Sequence, residues 1–295
     1  MLVGAACNVL VEAMDVRDRI LGMGLAGMLG VAGIEPVSAE LPGLTEPEWL
    51  GHFVGFQNKK FQFGITSQGK ATLKVIGKKG EPLNQKLTIP VEFLVEEIRP
   101  DGKPSVKNFQ PETLESAQPA ANKPQQIVIH GKVTGDARVE IHVNEDRGMI
   151  SLGGRLLDPG TLTKNPLRFS IRLKFPDAYP SAKAAGDKKE EKELKDKMKN
   201  DRVQLSWTDG KRVKQATDKA VDAGSDGING PGIAAMQVQF STFDEKKFEF
   251  SASENSSIRL SGPQAQPLHD GFTITWMADP VKDPEGKARL NFEVK

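Results

Sequence analysis

Residues 61–66 read Phe61-Gln62-Phe63-Gly64-Ile65-Thr66, with an apolar side chain at every second position and a polar or small one between. Successive side chains leave a strand on opposite faces, so this alternation buries one face and wets the other. A helix would scatter the same residues around its axis. The pattern recurs in Val139-Glu140-Ile141-His142-Val143-Asn144 and in Phe272-Thr273-Ile274-Thr275-Trp276, where the indole falls on the buried side. Beyond residue 50, roughly a dozen or more such runs are separated by Gly, Pro, Asn and Asp, the punctuation of strands and turns. The chain is therefore expected to be all-β, with antiparallel strands in a sandwich-like arrangement or one large curved sheet.

Working outward from residue 61 reveals a repeat. Phe56, Lys59, Lys60, Phe61 and Phe63 match Phe243, Lys246, Lys247, Phe248 and Phe250. After a two-residue gap, Leu73, Gly77, Pro82, Leu83, Thr88 and Ile89 match Ile258, Gly262, Pro267, Leu268, Thr273 and Ile274. A fainter copy sets Val139, Glu140, Ile141 and Glu145 against Phe248, Glu249, Phe250 and Glu254. One β-meander unit used two or three times accounts for these matches, at residues 40–99, 127–182 and 233–295.

Two stretches break the alternation. Residues 100–126 carry Pro100, Pro104, Pro111, Pro119 and Pro124, which fix extended angles and remove backbone donors, so a loop or linker is expected. Residues 183–232 form an insertion. Its first part, Lys183 to Lys199, is almost wholly charged, with Glu191 and Lys195, and Glu193 and Lys197, at helical i,i+4 spacing. Leu194 and Met198 give it a thin apolar stripe, so one short solvated helix is expected there.

The 40 basic and 39 acidic side chains leave a net charge of +1, too little for the long-range attraction that phosphate backbones require. Nucleic acid is not an expected partner. Near the start, Arg17 and Arg19 precede an apolar run from Ile20 to Ile34, followed by Pro36-Val37-Ser38-Ala39. That order is the pattern of a signal peptide over residues 1–39, cleaved after Ala39. The run falls short of the roughly 20 residues that span a bilayer. The expectation is export to a periplasm or the cell exterior, with no membrane-spanning segment after cleavage. Cys7, the single cysteine, lies in this leader, so no disulfide is expected downstream.

Gly-x-Ser-x-Gly, His-Glu-x-x-His, a phosphate-binding loop and a dinucleotide fingerprint are all missing. His130 and His142 lie on neighbouring strands, and pairing Val133 with Val139 would set the two imidazoles face to face with Glu140 beside them. Such a set suits a transition metal, and an ordinary polar face is the simpler reading. Asp222 and Asp226 fall in a Gly- and Asp-rich loop that offers oxygen ligands for calcium without EF-hand spacing, and a plain surface loop is simpler there. No cofactor is expected beyond these two options. Trp207, just before the Thr208-Asp209-Gly210 turn, and Trp49 are the candidates for stacking on a ligand such as a sugar.

With no catalytic set legible, the leading expectation is a non-enzymatic exported β-protein that binds an unknown protein or glycan, or builds an envelope structure. A carrier of an apolar molecule or lipid in a sheet-lined cavity is the alternative. An exported enzyme of unknown class stands third.

Overall fold

A computed structural model of the chain describes residues 47–116, 126–179, 188–218, 232–262 and 267–295. The expected leader, Cys7, Pro119, Pro124, and the Asp222 and Asp226 loop lie outside the described residues. The strands are β1 (His52–Gln57), β2 (Phe61–Thr66), β3 (Ala71–Val75), β4 (Ile89–Ile98), β5 (Pro104–Lys107) and β6 (Glu115–Ser116). They continue through β7 (Gln126–Val133), β8 (Ala137–Asp146), β9 (Met149–Asp158), β10 (Leu167–Phe175), β11 (Arg202–Trp207) and β12 (Arg212–Gln215). The last are β13 (Ile233–Gln239), β14 (Lys247–Ala252), β15 (Ser256–Ser261), β16 (Phe272–Ala278) and β17 (Leu290–Val294). A helix, α1 (Lys188–Met198), precedes β11. The all-β expectation holds.

Every pairing is antiparallel, and two long ladders emerge. One runs β1–β2–β3–β4–β10–β16–β15, with β5 also on β4. The other runs β12–β11–β13–β14–β17–β9–β8–β7–β6. The bridge Ile233↔Ile258 joins them into one sheet that folds over itself, nearly closing into a barrel. Rings from the two ladders meet inside: Phe61 and Phe63 of β2 lie 5.9 and 5.7 Å from Phe292 of β17. Phe175 of β10 lies 5.3 Å from Phe248 and 6.0 Å from Phe250 of β14. The phenylalanines of the repeats thus fill the core, and Trp276 is fully buried among them.

The repeat maps onto β2, β3 and β4 at one end and β14, β15 and β16 at the other, yet the copies pair differently. β2 and β3 form a hairpin ladder from Phe61↔Val75 to Ile65↔Ala71. Their counterparts separate, β14 joining β13 and β17 while β15 joins β16. β10 lies between β4 and β16, so strands from all three expected units share one sheet.

Within residues 100–116 the structure holds more than a loop. Pro104 opens edge strand β5, where its missing N–H interrupts no ladder, and a 3-10 turn at Pro111–Thr113 leads to β6. The charged stretch forms α1, and Leu194 and Met198 pack against the margin of the core as the thin stripe requires. No described helix is long and apolar enough to cross a membrane.

Trp49, in a 3-10 turn before β1, is only 3% exposed. Its ring lies across Gly55 and Gly64, where backbone without side chains makes a shelf. A Cβ on Gly55 would fall 2.3 Å from Trp49 Cδ2, inside any real contact. Gly55→Ala is therefore expected to eject the indole and cost about 1–3 kcal/mol, the range for overpacking. Thermal melts and a red-shifted tryptophan emission would report it, and an unchanged spectrum would sink the packing argument.

Candidate active site

Alternation assigns the two faces of β8: Ala137, Val139, Ile141 and Val143 point into the core, and Arg138, Glu140 and His142 point outward. The neighbours of these outward groups depend on register. Val133 pairs with Ala137, not Val139, because Thr134, Gly135 and Asp136 suffice to turn the chain. Gly135 (φ 89°) and Asp136 (φ 58°) both take left-handed backbone, which allows so tight a loop. The expected His130–His142 juxtaposition is corrected accordingly: His130 faces Glu140, and His142 faces Val128. On the other side of β8, Glu140 faces Arg155 of β9.

The segment before β17 supplies the remaining member. Asp283 accepts hydrogen bonds from the backbone N–H groups of Lys287 (2.7 Å) and Ala288 (2.8 Å), which curls this segment over β9. It passes so close to Gly153 that a Cβ there would lie 2.7 Å from the Ala288 carbonyl oxygen. Only glycine admits the strap at this point. Arg289 donates from Nη1 to the carbonyls of Gly286 (2.5 Å) and Ala288 (2.8 Å), and its backbone N–H donates to Ser253 Oγ (2.7 Å). Thus held, its Nη2 donates to His142 Nδ1 at 2.9 Å.

That contact decides the protonation of the cluster. A guanidinium has no lone pair to accept with, so Nδ1 of His142 must be the unprotonated nitrogen. The proton sits on Nε2, which donates to Glu140 Oε1. Burial, with the charges of Arg289 and Arg155, holds the imidazole below its ordinary pKa despite the neighbouring carboxylate. Burial pushes the Glu140 carboxyl upward, but the hydrogen bonds from His142 and Arg155, with the charge of Arg155, outweigh it and leave its pKa below the usual carboxylate value. Arg155 Nη2 lies 3.2 Å from Glu140 Oε2, and His130 Nε2 is 3.9 Å from the same oxygen. The cluster is an ionised carboxylate on a neutral imidazole, with arginines behind both.

The pKa directions imply a pH dependence of stability. Because the folded His142 pKa lies below its unfolded value of 6.5, the unfolded chain binds the extra proton first as pH falls. Stability is then expected to decline below about pH 6.5, with a slope of up to about 1.4 kcal/mol per pH unit for one proton. The Glu140 contribution, present above its unfolded value of 4.5, is lost at lower pH still, through its depressed folded pKa. Melting temperatures at pH 7.5 and 5.5, with His142→Gln as the control that removes the upper step, check this. Equal melting of wild type at both values would contradict a neutral His142.

The sequence-predicted residues separate in space. His130, Glu140 and His142 come together, but no set of three or more His, Cys, Asp or Glu side chains among the described residues is arranged to hold a metal ion. Arg155 meets Glu140 and Arg289 meets His142 instead. Trp49 is buried and presents no stacking face. Trp207 is half-buried at the end of β11, with Lys211 Nζ 5.3 Å from its ring centroid. Arg155 was within reach of the alternation argument, since it occupies an outward position on β9. Arg289 carried no local signal. A second polar knot, Tyr179 donating to Asp201 Oδ2 (2.5 Å) while Ser241 N and Oγ donate to Oδ1 (2.8 and 3.0 Å), fastens β11 to the turn before β14.

No protein-family model and no curated protein matches this chain. Its fold is similar to that of solved structures. The α-N-acetylgalactosaminidase NagBb from Bifidobacterium bifidum, in its GalNAc complex, is 10% identical over 82% of this chain and 36% of that one, with a TM-score of 0.51. A putative aldose 1-epimerase from Escherichia coli K12 is 10% identical over 82% of this chain and 98% of that one, with a TM-score of 0.40. The chain spans about a third of the length of the galactosaminidase. The galactosaminidase corrects the expectation of a non-enzymatic binding, envelope or carrier protein: a fold of this kind occurs in a protein named as an α-N-acetylgalactosaminidase. The missing motifs misled because they are local in sequence, whereas the cluster here is gathered from β7, β8, β9 and the segment before β17.

Proposed function

We propose that this chain is a carbohydrate-active enzyme, or the β-rich part of one, in which Glu140 accepts a proton from a sugar hydroxyl. The observation that carries this reading is the chain Arg289–His142–Glu140, in which a guanidinium keeps the imidazole neutral and the imidazole in turn holds the carboxylate ionised. A general base must be unprotonated before it acts, and Glu140 meets that condition while its side chain remains 13% exposed. His130, 38% exposed and across the same oxygen, is placed to exchange a proton with a second oxygen of the sugar.

One carboxylate and one exposed imidazole suit reversible opening of a hexose ring. Glu140 takes the proton of the anomeric hydroxyl, His130 gives one to the ring oxygen, and the bond from the anomeric carbon to that oxygen breaks. The carbonyl formed recloses on its other face. Glycoside cleavage by paired carboxylates asks for a second acid roughly 5–10 Å away. Asp283, the other carboxylate of the cluster, is committed to backbone N–H groups. The sugar in the galactosaminidase complex makes galactose and N-acetylgalactosamine the first substrates to try.

The test is the rate at which the two anomers of each sugar interconvert, followed by NMR exchange with the full chain present. Acceleration over buffer is expected. Hydrolysis of nitrophenyl N-acetylgalactosaminide without anomer exchange would overturn ring opening, and inactivity in both assays would overturn the reading. Export is proposed on the leader pattern of residues 1–39. Mass spectrometry should find a mature N-terminus at Glu40, and a retained leader would overturn it.

A further inference from the structure

The ladder along β4 is interrupted at one residue, away from the Glu140 cluster. β10 occupies one edge of β4 from Val91 to Glu97, so β3 and β5 share the other edge and approach it from opposite ends. β3 pairs Ala71 with Val91 and stops, and β5 pairs Lys107 with Val95 and stops. The next bonded pair from either side would fall on Phe93, with Gly69 from β3 or with Phe109 from β5. Neither pair forms. Gly69, at φ 76°, turns away and donates its N–H to the Thr66 carbonyl. Residues 108–110 leave β4 for β7, where Asn108 O accepts from Thr134 N and Gln110 N donates to Lys132 O.

Backbone N–H and C=O groups alternate between the two edges of a strand, so one fixed bond assigns the others. Ile98 N donates to Pro166 O on the β10 side, and Arg99 N donates to Lys103 O on the β5 side. Even-numbered residues of β4 therefore bond to β10, and odd-numbered ones point to the other edge. Phe93 thus aims both its N–H and its C=O into the gap. Phe109 does the same from the opposite wall, because its neighbours Asn108 and Gln110 are the residues that bond to β7. Backbone groups set against each other in a sheet are almost always paired. Here a groove of about 420 Å³ separates them, lined by Gly69, Ala71, Phe93, Lys107 and Phe109 and within the roughly 300–1,000 Å³ of ligand sites.

We infer that this gap is a binding slot for the acetamido group of an N-acetylated hexosamine. A trans amide directs its N–H and its C=O to opposite sides, so its carbonyl accepts from one wall while its N–H donates to the other. An ionised carboxylate has no donor and leaves both wall carbonyls unmet. Length excludes an added strand: β4 advances about 13 Å between Val91 and Val95, and Ala71 and Lys107 close the two ends. Pro90 and Leu94, at outward positions of β4, offer apolar surface to the methyl group, and Thr72 and Asn108 offer polar groups to ring hydroxyls. That a sugar carries the amide rests on the carbohydrate reading above; the amide itself rests on the interrupted ladder alone.

The test is amide hydrogen exchange of the full chain, read residue by residue by NMR, alone and with N-acetylgalactosamine, galactose or a blocked trialanine peptide. Without ligand, Phe93 N–H is expected to exchange at least about ten-fold faster than the N–H groups of Val91 and Val95, which are held in the ladder. N-acetylgalactosamine should slow Phe93 and shift the resonances of Phe93 and Phe109. Galactose, which has the same ring without the acetamido group, should do neither at the same concentration. The peptide carries the same amides in an extended chain and should also leave both unchanged. Glu140→Gln should keep the response to N-acetylgalactosamine while removing anomer exchange, so the two readings fail separately. A Phe93 amide as protected as its neighbours without ligand, no response to N-acetylgalactosamine, or an equal response to galactose or to the peptide would each overturn the inference.

Discussion

Glu140→Gln is expected to reduce anomer exchange by about 10²–10⁴-fold, the usual worth of a positioned general base. The substitution keeps the size of the side chain, and the amide oxygen still accepts from His142 Nε2. The cluster should therefore remain assembled, and substrate binding should change far less than turnover. The amide cannot take up a proton, so the loss falls on the chemical step. Glu140→Asp, one methylene shorter, should retain part of the rate. The measurement is the initial exchange rate at saturating sugar beside the melting temperature of each variant. Full activity in a folded Glu140→Gln chain would remove Glu140 from the reaction.

Phe175→Ala is expected to be the most damaging single change to the fold. Phe175 stacks on Phe272 at 4.6 Å and 6°, and meets Phe248, Phe250 and Phe243 edge-on at 5.3, 6.0 and 6.3 Å. It thus belongs to β10 in one ladder and touches β14 of the other, at the seam where the sheet folds over. Truncation of a buried Phe costs about 3–5 kcal/mol through lost transfer energy and the cavity left behind. Each kcal/mol lowers the melting temperature by roughly 2–4 °C in a chain of this size. Phe175→Leu, which fills most of the space, should cost less. A Phe175→Ala chain as stable as wild type would show that the ladders are held together elsewhere.

The candidate site was partly legible. Alternation put Glu140 and His142 on the outward face of β8 and His130 on the outward side of β7, and that much follows from side-chain period alone. The register of β7 on β8 depended on whether Gly135 and Asp136 would both enter left-handed backbone, and two equally apolar registers satisfied the pattern. Arg289 escaped because it reaches His142 from 147 residues away along the chain. Nothing in its neighbourhood marks it, and Gly153, which lets the strap approach, reads in sequence as an ordinary strand glycine. The functional expectation failed for the same reason: a polar cluster gathered from four separate segments leaves no local motif.

The amino-acid sequence by itself determined that this chain would build antiparallel sheet, which side of each strand would be oily, and where the charged helix would stand, because these follow from the period of side chains along one segment. Tertiary structure alone decided that β2 keeps its hairpin partner while its repeat β14 gives up its own, and that a distant arginine sets the charge state of His142. Those outcomes depend on which surfaces meet, and any number of alternating strands present nearly equivalent edges until the core chooses among them.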